Sequence, residues 1–430
     1  MQITVVGMGK IGLPLAVQFA RKGHLVVGAD VNAETVDLIN AGREPFPNEA
    51  HLASYLPVEV SAGRLRATTD TSHAVSESDA VVVVVPLFVD VDARPDFRAL
   101  DAATRDIAQG LHPGTLISYE TTLPVGTVRN RLTPLLEVGS GLEAGRDFFV
   151  VFSPERVLTG RVFADLRHYP KLVGGIDVES ERRGTRFYGE VLDFDDRPDL
   201  PRPNGVWPMG SSEAAEMAKL AETTYRDVNI GLANQFALYA EVEGMDIDLI
   251  IEACNSQPYS HIHQPGISVG GHCIPVYPRL YLWNDPSATI VRAAREANAT
   301  MPEQAVSRLE GELTSLTGVS VAVLGAAYRG GVKETSFSGV FPIVRALEER
   351  GATVQVHDPL YSPTELAEMN LKSYNKGDPV DAVIVHTDHS EYLTWLPSDC
   401  PGVQVVLDGR GHLSRETWNT SCRFLRLGSA

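Results

Sequence analysis

The 430-residue chain holds only four cysteines, Cys254, Cys273, Cys400 and Cys422, and their spacing has none of the paired repeats that grip zinc or staple a small secreted domain. That scarcity predicts a reducing, cytoplasmic setting with no disulfide framework and no metal site. Positive charge is also short: 37 lysines and arginines face 55 acidic residues, a formal net charge of -18. Nucleic acids and anionic membranes need a basic face, so neither is expected as the main partner, and only a local basic pocket fits the total. No apolar run approaches the roughly 20 residues of a membrane span, and the N-terminus enters a strand pattern without a basic stretch and a long apolar segment. Short-period repeats and low-complexity segments are missing too.

What is present starts at once. Ile3 to Val6 form an apolar run, Gly7-Met8-Gly9-Lys10-Ile11-Gly12 follows, and a helical pattern continues through Leu13, Leu15, Ala16 and Phe19. The order strand, glycine turn, helix is that of a dinucleotide site. The first glycine permits the turn, the second lets a pyrophosphate approach the backbone, and the third allows helix and strand to pack closely. Amides at the helix start then face the phosphates. A second strand, Leu25 to Ala29, ends at Asp30, whose carboxylate can accept from both ribose hydroxyls and would repel a 2′-phosphate, which predicts NAD rather than NADP.

With 43% hydrophobic residues the chain can build two or three cores, at roughly 100 to 200 residues per domain. Ala80 to Val85 is nearly all valine, as suits a parallel strand buried on both faces, and Pro86 ends it near the cofactor. Further strands are expected at 115–119 and 148–152, and the proline- and acid-rich stretch 195–210 as a loop. Ser211 or Ser212 can cap a helix with Glu213 and Glu216 in its first turn, running to Gly244. About 30 residues at roughly 1.5 Å each make a spine about 45 Å long. A second strand–helix series follows, with strands at 319–324, 353–357, 382–386 and 405–407. Gly325-Ala326-Ala327 lacks the spacing of a second fingerprint, so this part is assigned to substrate. The expected fold is α/β, two doubly wound Rossmann-like domains joined by a long central helix: 1–200 for NAD, 201–300 as a helical linker, and 301–430 for substrate.

These motifs, in this order, resemble the NAD-dependent nucleoside-diphosphate-sugar 6-dehydrogenases, the family of UDP-glucose, GDP-mannose and UDP-N-acetylhexosamine enzymes. The resemblance runs nearly end to end and rests on Gly7 to Gly12 with Asp30, Thr121-Thr122-Leu123-Pro124-Val125-Gly126-Thr127, Ser153-Pro154-Glu155-Arg156, Glu216 to Leu220, Gly270-Gly271-His272-Cys273-Ile274-Pro275, and Asp408-Gly409-Arg410. It implies a four-electron oxidation of the hexose C6 alcohol to a uronic acid, as used in polysaccharide biosynthesis, with two NAD in succession. Cys273 would be the nucleophile of a thiohemiacetal and thioester, Lys219 the oxyanion stabiliser and proton carrier, Glu155 the group that activates water, and Thr122 the hydroxyl that positions it. Thr121 and Thr122 would touch the cofactor. Substrate contacts would come from Glu155, Arg156, Lys219, Thr223, the Gly266 to Gly271 amides with Gly266, Gly270 and Gly271 in particular, and the phosphate-binding Arg329 and Arg410. Without the motif, a lone cysteine reads as packing, as Cys254 still does on the apolar run Leu249 to Ala253. A lone helical lysine reads as solvated.

Three positions depart from the family pattern. Thr223 stands for an asparagine, Tyr277 for the aspartate four residues after the cysteine, and Ser336 for the arginine that meets an NAD phosphate. They motivate a rival reading as a catalytically weak NAD or sugar-nucleotide-binding protein, or sensor; a one-step hydroxyacid dehydrogenase is a second rival that would not need the cysteine loop. His272, with Asn255 to Ser260, resembles the N-acetylhexosamine branch, so a UDP-N-acetylhexosamine is the expected substrate, with UDP-glucose or dTDP-glucose as the alternative. A homodimer through the long helix, or a larger homo-oligomer, is implied.

Overall fold

The computed structural model describes residues 1–90 and 94–429 and divides the chain into two compact units, Met1–Ala221 and Glu222–Ala430. In the first unit the strands are β1 (Gln2–Val6), β2 (Leu25–Ala29), β3 (Leu65–Thr68), β4 (Ala80–Val83), β7 (Leu116–Tyr119), β8 (Phe149–Phe152), β9 (Lys171–Gly175) and β10 (Val206–Pro208), with β5 (Phe88–Val89) and β6 (Pro95–Asp96) forming a small separate ribbon. The eight-stranded sheet has the order β10-β9-β8-β7-β4-β1-β2-β3. It is parallel from β3 to β8; β9 runs antiparallel to β8 and β10 parallel to β9. Every residue of β4, β7 and β8 is buried, which is why these strands read as continuous apolar runs without alternation. Strand order reverses between β1 and β4, and such a reversal opens a crevice beyond the carboxyl ends of the two strands.

The second unit holds a five-stranded parallel sheet of β11 (Ser320–Leu324), β12 (Thr353–His357), β13 (Ala382–Val385), β14 (Val405–Asp408) and β15 (Arg423–Arg426), in the order β12-β11-β13-β14-β15. One face is packed by aliphatic residues such as Leu309, Ile343 and Leu347, the other by Tyr392, Trp395 and Trp418. The architecture is therefore the expected α/β pair of doubly wound sheets.

A 31-residue helix, Ser212–Val242, continues across the sequence boundary between the units. Ser211 caps it, its hydroxyl accepting from the Ala214 amide at 3.1 Å. Glu216 has a different job from the helix-start role expected of it. Its carboxylate is buried and accepts from the amides of Gly126 (2.5 Å) and Val128 (2.9 Å), capping the short wide turn Val128–Leu132. The stretch 195–210 departs from the expected loop at its end: Val206–Pro208 pairs with β9 as an edge strand, where Pro208 closes the strand without breaking a central ladder. No helix among the described residues is long and apolar enough to cross a membrane.

Candidate active site

Beyond β1 the chain turns at Gly7, whose φ of +93° an L side chain rarely adopts and whose amide donates to the Ala29 carbonyl at 2.8 Å. A Cβ on Gly7 would sit 3.0 Å from the Val84 carbonyl oxygen, and one on Gly12 only 1.9 Å from the Gly7 carbonyl oxygen. Gly12 is thus what lets the helix Gly12–Arg21 lie on the turn. A Cβ on Gly9 would meet no protein atom within 4 Å, so the space beside it is open for a ligand. Asp30 is partly exposed; its Oδ2 accepts from the Met8 amide at 2.7 Å and its Oδ1 from the Asn32 amide at 2.9 Å. That clamp aims the carboxylate while leaving further lone-pair directions for ribose hydroxyls. Met8 serves through this amide alone, because its side chain is buried and fills the space a Cβ on Gly28 would need. Lys10 and Pro86 are exposed and Ile11 half-buried. Thr121 donates to the Val85 carbonyl at 2.6 Å, tying the end of β7 to the segment that leaves β4. An open glycine turn, a helix start and an oriented acid fit an adenine dinucleotide.

Glu155 follows β8 and lies among charges. Its Oε2 is 2.9 Å from the Lys171 ammonium, its Oε1 accepts from the Arg156 amide at 2.7 Å, and its backbone carbonyl accepts from Lys219 Nζ at 2.6 Å. Lys171, the first residue of β9, also reaches Glu120 Oε2 at 2.8 Å, and Tyr188 donates to Glu120 Oε1 at 2.6 Å. Burial opposes the Glu155 anion, but Lys171, the Glu120 carboxyl and the Arg156 amide outweigh it and hold the group below its ordinary value. Burial dominates at Glu120 and, against Lys171 and Tyr188, lifts it to about 7. Lys171 is itself held above the usual lysine value, since the two carboxylates overcome its own desolvation. Thr122 is buried, and the Arg156 guanidinium donates to the Pro170 carbonyl at 3.3 Å.

In the second unit Cys273 is half-buried at the end of a pinned loop. The Gly266 amide donates to Asn234 Oδ1 (2.9 Å), the Ile267 amide to the Gly409 carbonyl (3.1 Å) and the Gly271 amide to the Ser336 carbonyl (2.8 Å). Gly266 and Gly271 therefore anchor the loop with the amides expected to face a diphosphate. The reason is local: Asn234 is locked through Asn298 to Asp227, which pairs with Arg295. A Cβ on Gly270 would come within 2.5 Å of Tyr328, so the two glycines let this ring lie against the loop. The Cys273 carbonyl accepts from the Tyr277 amide at 2.9 Å, leading into the helix Tyr277–Asn284. Ser336, where the resemblance leads one to expect an arginine, has a structural role, holding Gly271 by its carbonyl and donating its hydroxyl to Glu334 at 2.6 Å.

Arg410, after β14, is committed on two nitrogens: Nε donates to the His386 carbonyl (2.8 Å) and Nη2 to the Tyr328 carbonyl (3.2 Å). Arg329 is half-buried beside the Tyr328 ring, and Thr223 is fully buried with Arg226 donating to its hydroxyl at 3.4 Å. A cleft of about 560 Å³ opens at the carboxyl ends of this sheet, lined by Gln264, Pro265, Asn255, Asp248, Arg410 and Leu427. No group of three or more histidine, cysteine or acidic side chains suited to a metal occurs among the described residues.

The structure thus joins Glu155 to Lys219 in the first unit, and in the second sets Arg410 and Tyr328 against the loop 266–271 that leads to Cys273, with Arg329 beside Tyr328. Sequence reasoning missed Glu120, Lys171, Tyr188 and Asn234. A signal existed for two of them: Glu120 stands directly before Thr121-Thr122 at the end of an apolar strand, and Lys171 is a charge opening another.

Comparison with known proteins follows the same order along the chain. Residues 1–192 match the NAD binding domain of the UDP-glucose/GDP-mannose dehydrogenase family, 213–300 its central domain and 322–415 its UDP binding domain. The UDP-N-acetyl-D-mannosamine dehydrogenase of Pyrococcus horikoshii is 34% identical over 418 residues, 95% of each chain. Among solved structures, a UDP-D-ManNAc dehydrogenase from Pyrococcus horikoshii superposes with a TM-score of 0.88 at 31% identity, covering 100% of this chain and 99% of that one. A UDP-glucose dehydrogenase from Pyrobaculum islandicum does so with 0.86 at 27% identity, covering 100% and 98%.

Proposed function

From a chain that belongs to the UDP-glucose/GDP-mannose dehydrogenase family, and is therefore an NAD-dependent nucleotide-sugar dehydrogenase, we propose the oxidation of C6 of a UDP-N-acetylhexosamine to the uronic acid through a cysteine-bound intermediate. Gly7, Gly9 and Gly12 with Asp30 hold the NAD, which accepts a hydride once for each of the two oxidation steps. The alcohol, two NAD⁺ and one water become a carboxylate, two NADH and three protons. Lys219, about two turns inside its helix, assists loss of the alcohol proton and neutralises the oxygen as it becomes anionic. Cys273 adds to the aldehyde carbon, and loss of a second hydride from the thiohemiacetal leaves a thioester. Glu155, with Thr122, directs water at that carbonyl, the C–S bond breaks, and the thiol recovers its proton.

The observation that carries this reading is Cys273, a half-buried thiol at the end of a loop held at three amides. Arg329 and Arg410 are read as the diphosphate contacts, Arg410 through its remaining nitrogen, with Arg156, Thr223 and the loop as further substrate contacts. In this reading segment 1–200 binds cofactor, 201–300 links and dimerises, and 301–430 binds the sugar nucleotide. The His272-Cys273 pair and the N-acetyl-D-mannosamine relatives favour the N-acetylated sugar; the Pyrobaculum islandicum likeness favours the alternative, UDP-glucose. A cytoplasmic homodimer is the proposed form, supported by exposed Tyr225, Leu232, Phe236 and Tyr239, whose spacing puts them on one helical face.

The test is an NADH-release screen across UDP-, dTDP- and GDP-linked glucose, mannose and N-acetylhexosamines. Two NADH per sugar are expected, best with a UDP-N-acetylhexosamine; one NADH would favour a simple dehydrogenase and none a sensor. Cys273→Ser should abolish turnover and leave no trapped thioester. Glu155→Gln should accumulate a covalent adduct on Cys273, visible by intact mass, and loss of rate with no adduct under any condition gives Glu155 another role.

A further inference from the structure

Glu120 and Lys171 meet the proposed water-activating carboxylate, Glu155, beyond the ends of β7, β9 and β8, with side chains of Glu120, Lys171 and Glu155 0%, 5% and 11% exposed. One ammonium lies 2.8 Å from one carboxylate and 2.9 Å from the other. If both acids were ionised, the trio would carry a net negative charge in a place where water cannot screen it; one proton makes it neutral. The contacts decide where that proton goes. Glu155 faces Lys171 and the Arg156 amide, with Lys219 bound to its carbonyl, so its surroundings favour the anion. Glu120 shares Lys171, accepts from the neutral Tyr188 hydroxyl, which is braced by Ser118 at 2.7 Å, and faces the Glu155 carboxylate, to which a protonated Glu120 can donate. The Tyr188 ring also lies under the ammonium, 4.8 Å from its centroid, closing that side to water.

We propose that Lys171 and Glu120 are positioning residues for Glu155: Lys171 aims its carboxylate and keeps it ionised, while Glu120 stores the single carboxyl proton of the trio. The inference rests on the reading of Glu155 as the group that activates water. Lys171 also sets direction, because an ammonium fixed to Oε2 and the Arg156 amide fixed to Oε1 leave the carboxylate one orientation. Loss of Lys171 would raise the affinity of Glu155 for a proton, so a base that must be ionised would fail at a higher pH.

The experiment is a set of steady-state pH profiles on the full chain, with the sugar nucleotide that gives NADH in the screen above. Lys171→Met should lower kcat at least about tenfold with KM within about twofold, and move the acid limb of kcat up by about one pH unit or more. Lys171→Arg should restore most of the rate and the position of the limb. Glu120→Gln mimics the protonated acid, so it should leave the acid limb in place and remove an inflection in kcat near pH 7. Should Lys171→Met fail to fold, the pair Glu120→Gln with Lys171→Met leaves a single carboxylate and reports the same limb. If Glu155→Gln is impaired yet the acid limb is unmoved without Lys171, or the inflection survives Glu120→Gln, the proposal is overturned. If Glu155→Gln keeps the full rate, the reading of Glu155 itself falls instead.

Discussion

Asp30 after β2 and Asp358 after β12 stand at the same station in their two sheets. In each case the preceding strand is followed by a glycine with positive φ, Gly7 at +93° and Gly325 at +108°, whose amide bonds to the carbonyl just before the aspartate. In each, the next amide donates to the aspartate: Met8 to Asp30 at 2.7 Å, Ala326 to Asp358 at 2.8 Å. The surroundings then diverge. Asp30 keeps solvent and an open glycine beside it, whereas Asp358 is buried, takes a second amide from Ala327 at 2.9 Å and is paired with His389 at 3.1 Å. One sheet leaves its carboxylate for a ligand; the other satisfies the same carboxylate internally. A shared turn therefore does not make two dinucleotide sites, and the residue that separates them is the third of each turn, open Gly9 against buried Ala327.

The sharpest way to break this comparison is to truncate both acids. Asp358→Ala orphans buried amides and a histidine, so denaturant unfolding should show a loss of about 3–5 kcal/mol. Asp30→Ala, at a partly exposed position, should cost less than about 1 kcal/mol. Equal losses would mean that Asp30 is structural too. Next in size is cofactor affinity: calorimetric titration of NAD should weaken about tenfold or more, about 1.4 kcal/mol, in both Asp30→Ala and Gly9→Ala, with the fold retained. Unchanged NAD binding in Gly9→Ala would show that the open space is not the cofactor's.

The smallest effect concerns acid. Buried His386 is pushed down to about 3, mainly by burial and then by Arg410, so it stays neutral in the fold while an unfolded histidine takes a proton near pH 6.5. Stability is then complete above that pH and declines as pH falls towards 3, by about 0.7 kcal/mol between pH 7 and 6. Thermal unfolding of His386→Asn should lose that slope. A slope that survives would assign it to another group.

Much of this was legible before any coordinates. Five strands of the first sheet, four of the second, the long helix and the glycine turn are legible because each is a local pattern: a valine run, a helical period, three glycines at fixed offsets. The short strands β3, β9 and β15 are not, since four or five residues opened by or mixed with charge give no clear run, and the antiparallel direction of β9 has no local signature at all. Val206–Pro208 reads as loop because an edge strand of three residues ending in proline has no period to see. At the site, the sequence pointed to Glu155 and Cys273 through short motifs, while the Glu120–Lys171 pair joins residues 51 positions apart and only folding brings them together. For Gly266 the residue type was informative but the role was not, because nothing nearby in sequence reveals that Asn234 accepts its amide.

Irregular segments ordinarily trade their backbone hydrogens with heavy water within moments, because they open without disturbing anything else. The stretch from Gly266 to Gly271 has no helix or strand of its own, yet its hydrogens at Gly266, Ile267 and Gly271 are tied to a buried asparagine network, to the turn after β14 and to Ser336. Releasing them requires part of the second unit to open, so they should exchange at the slow pace of the central strands. A thiol carried on such a segment is placed when the chain folds, before anything binds beside it.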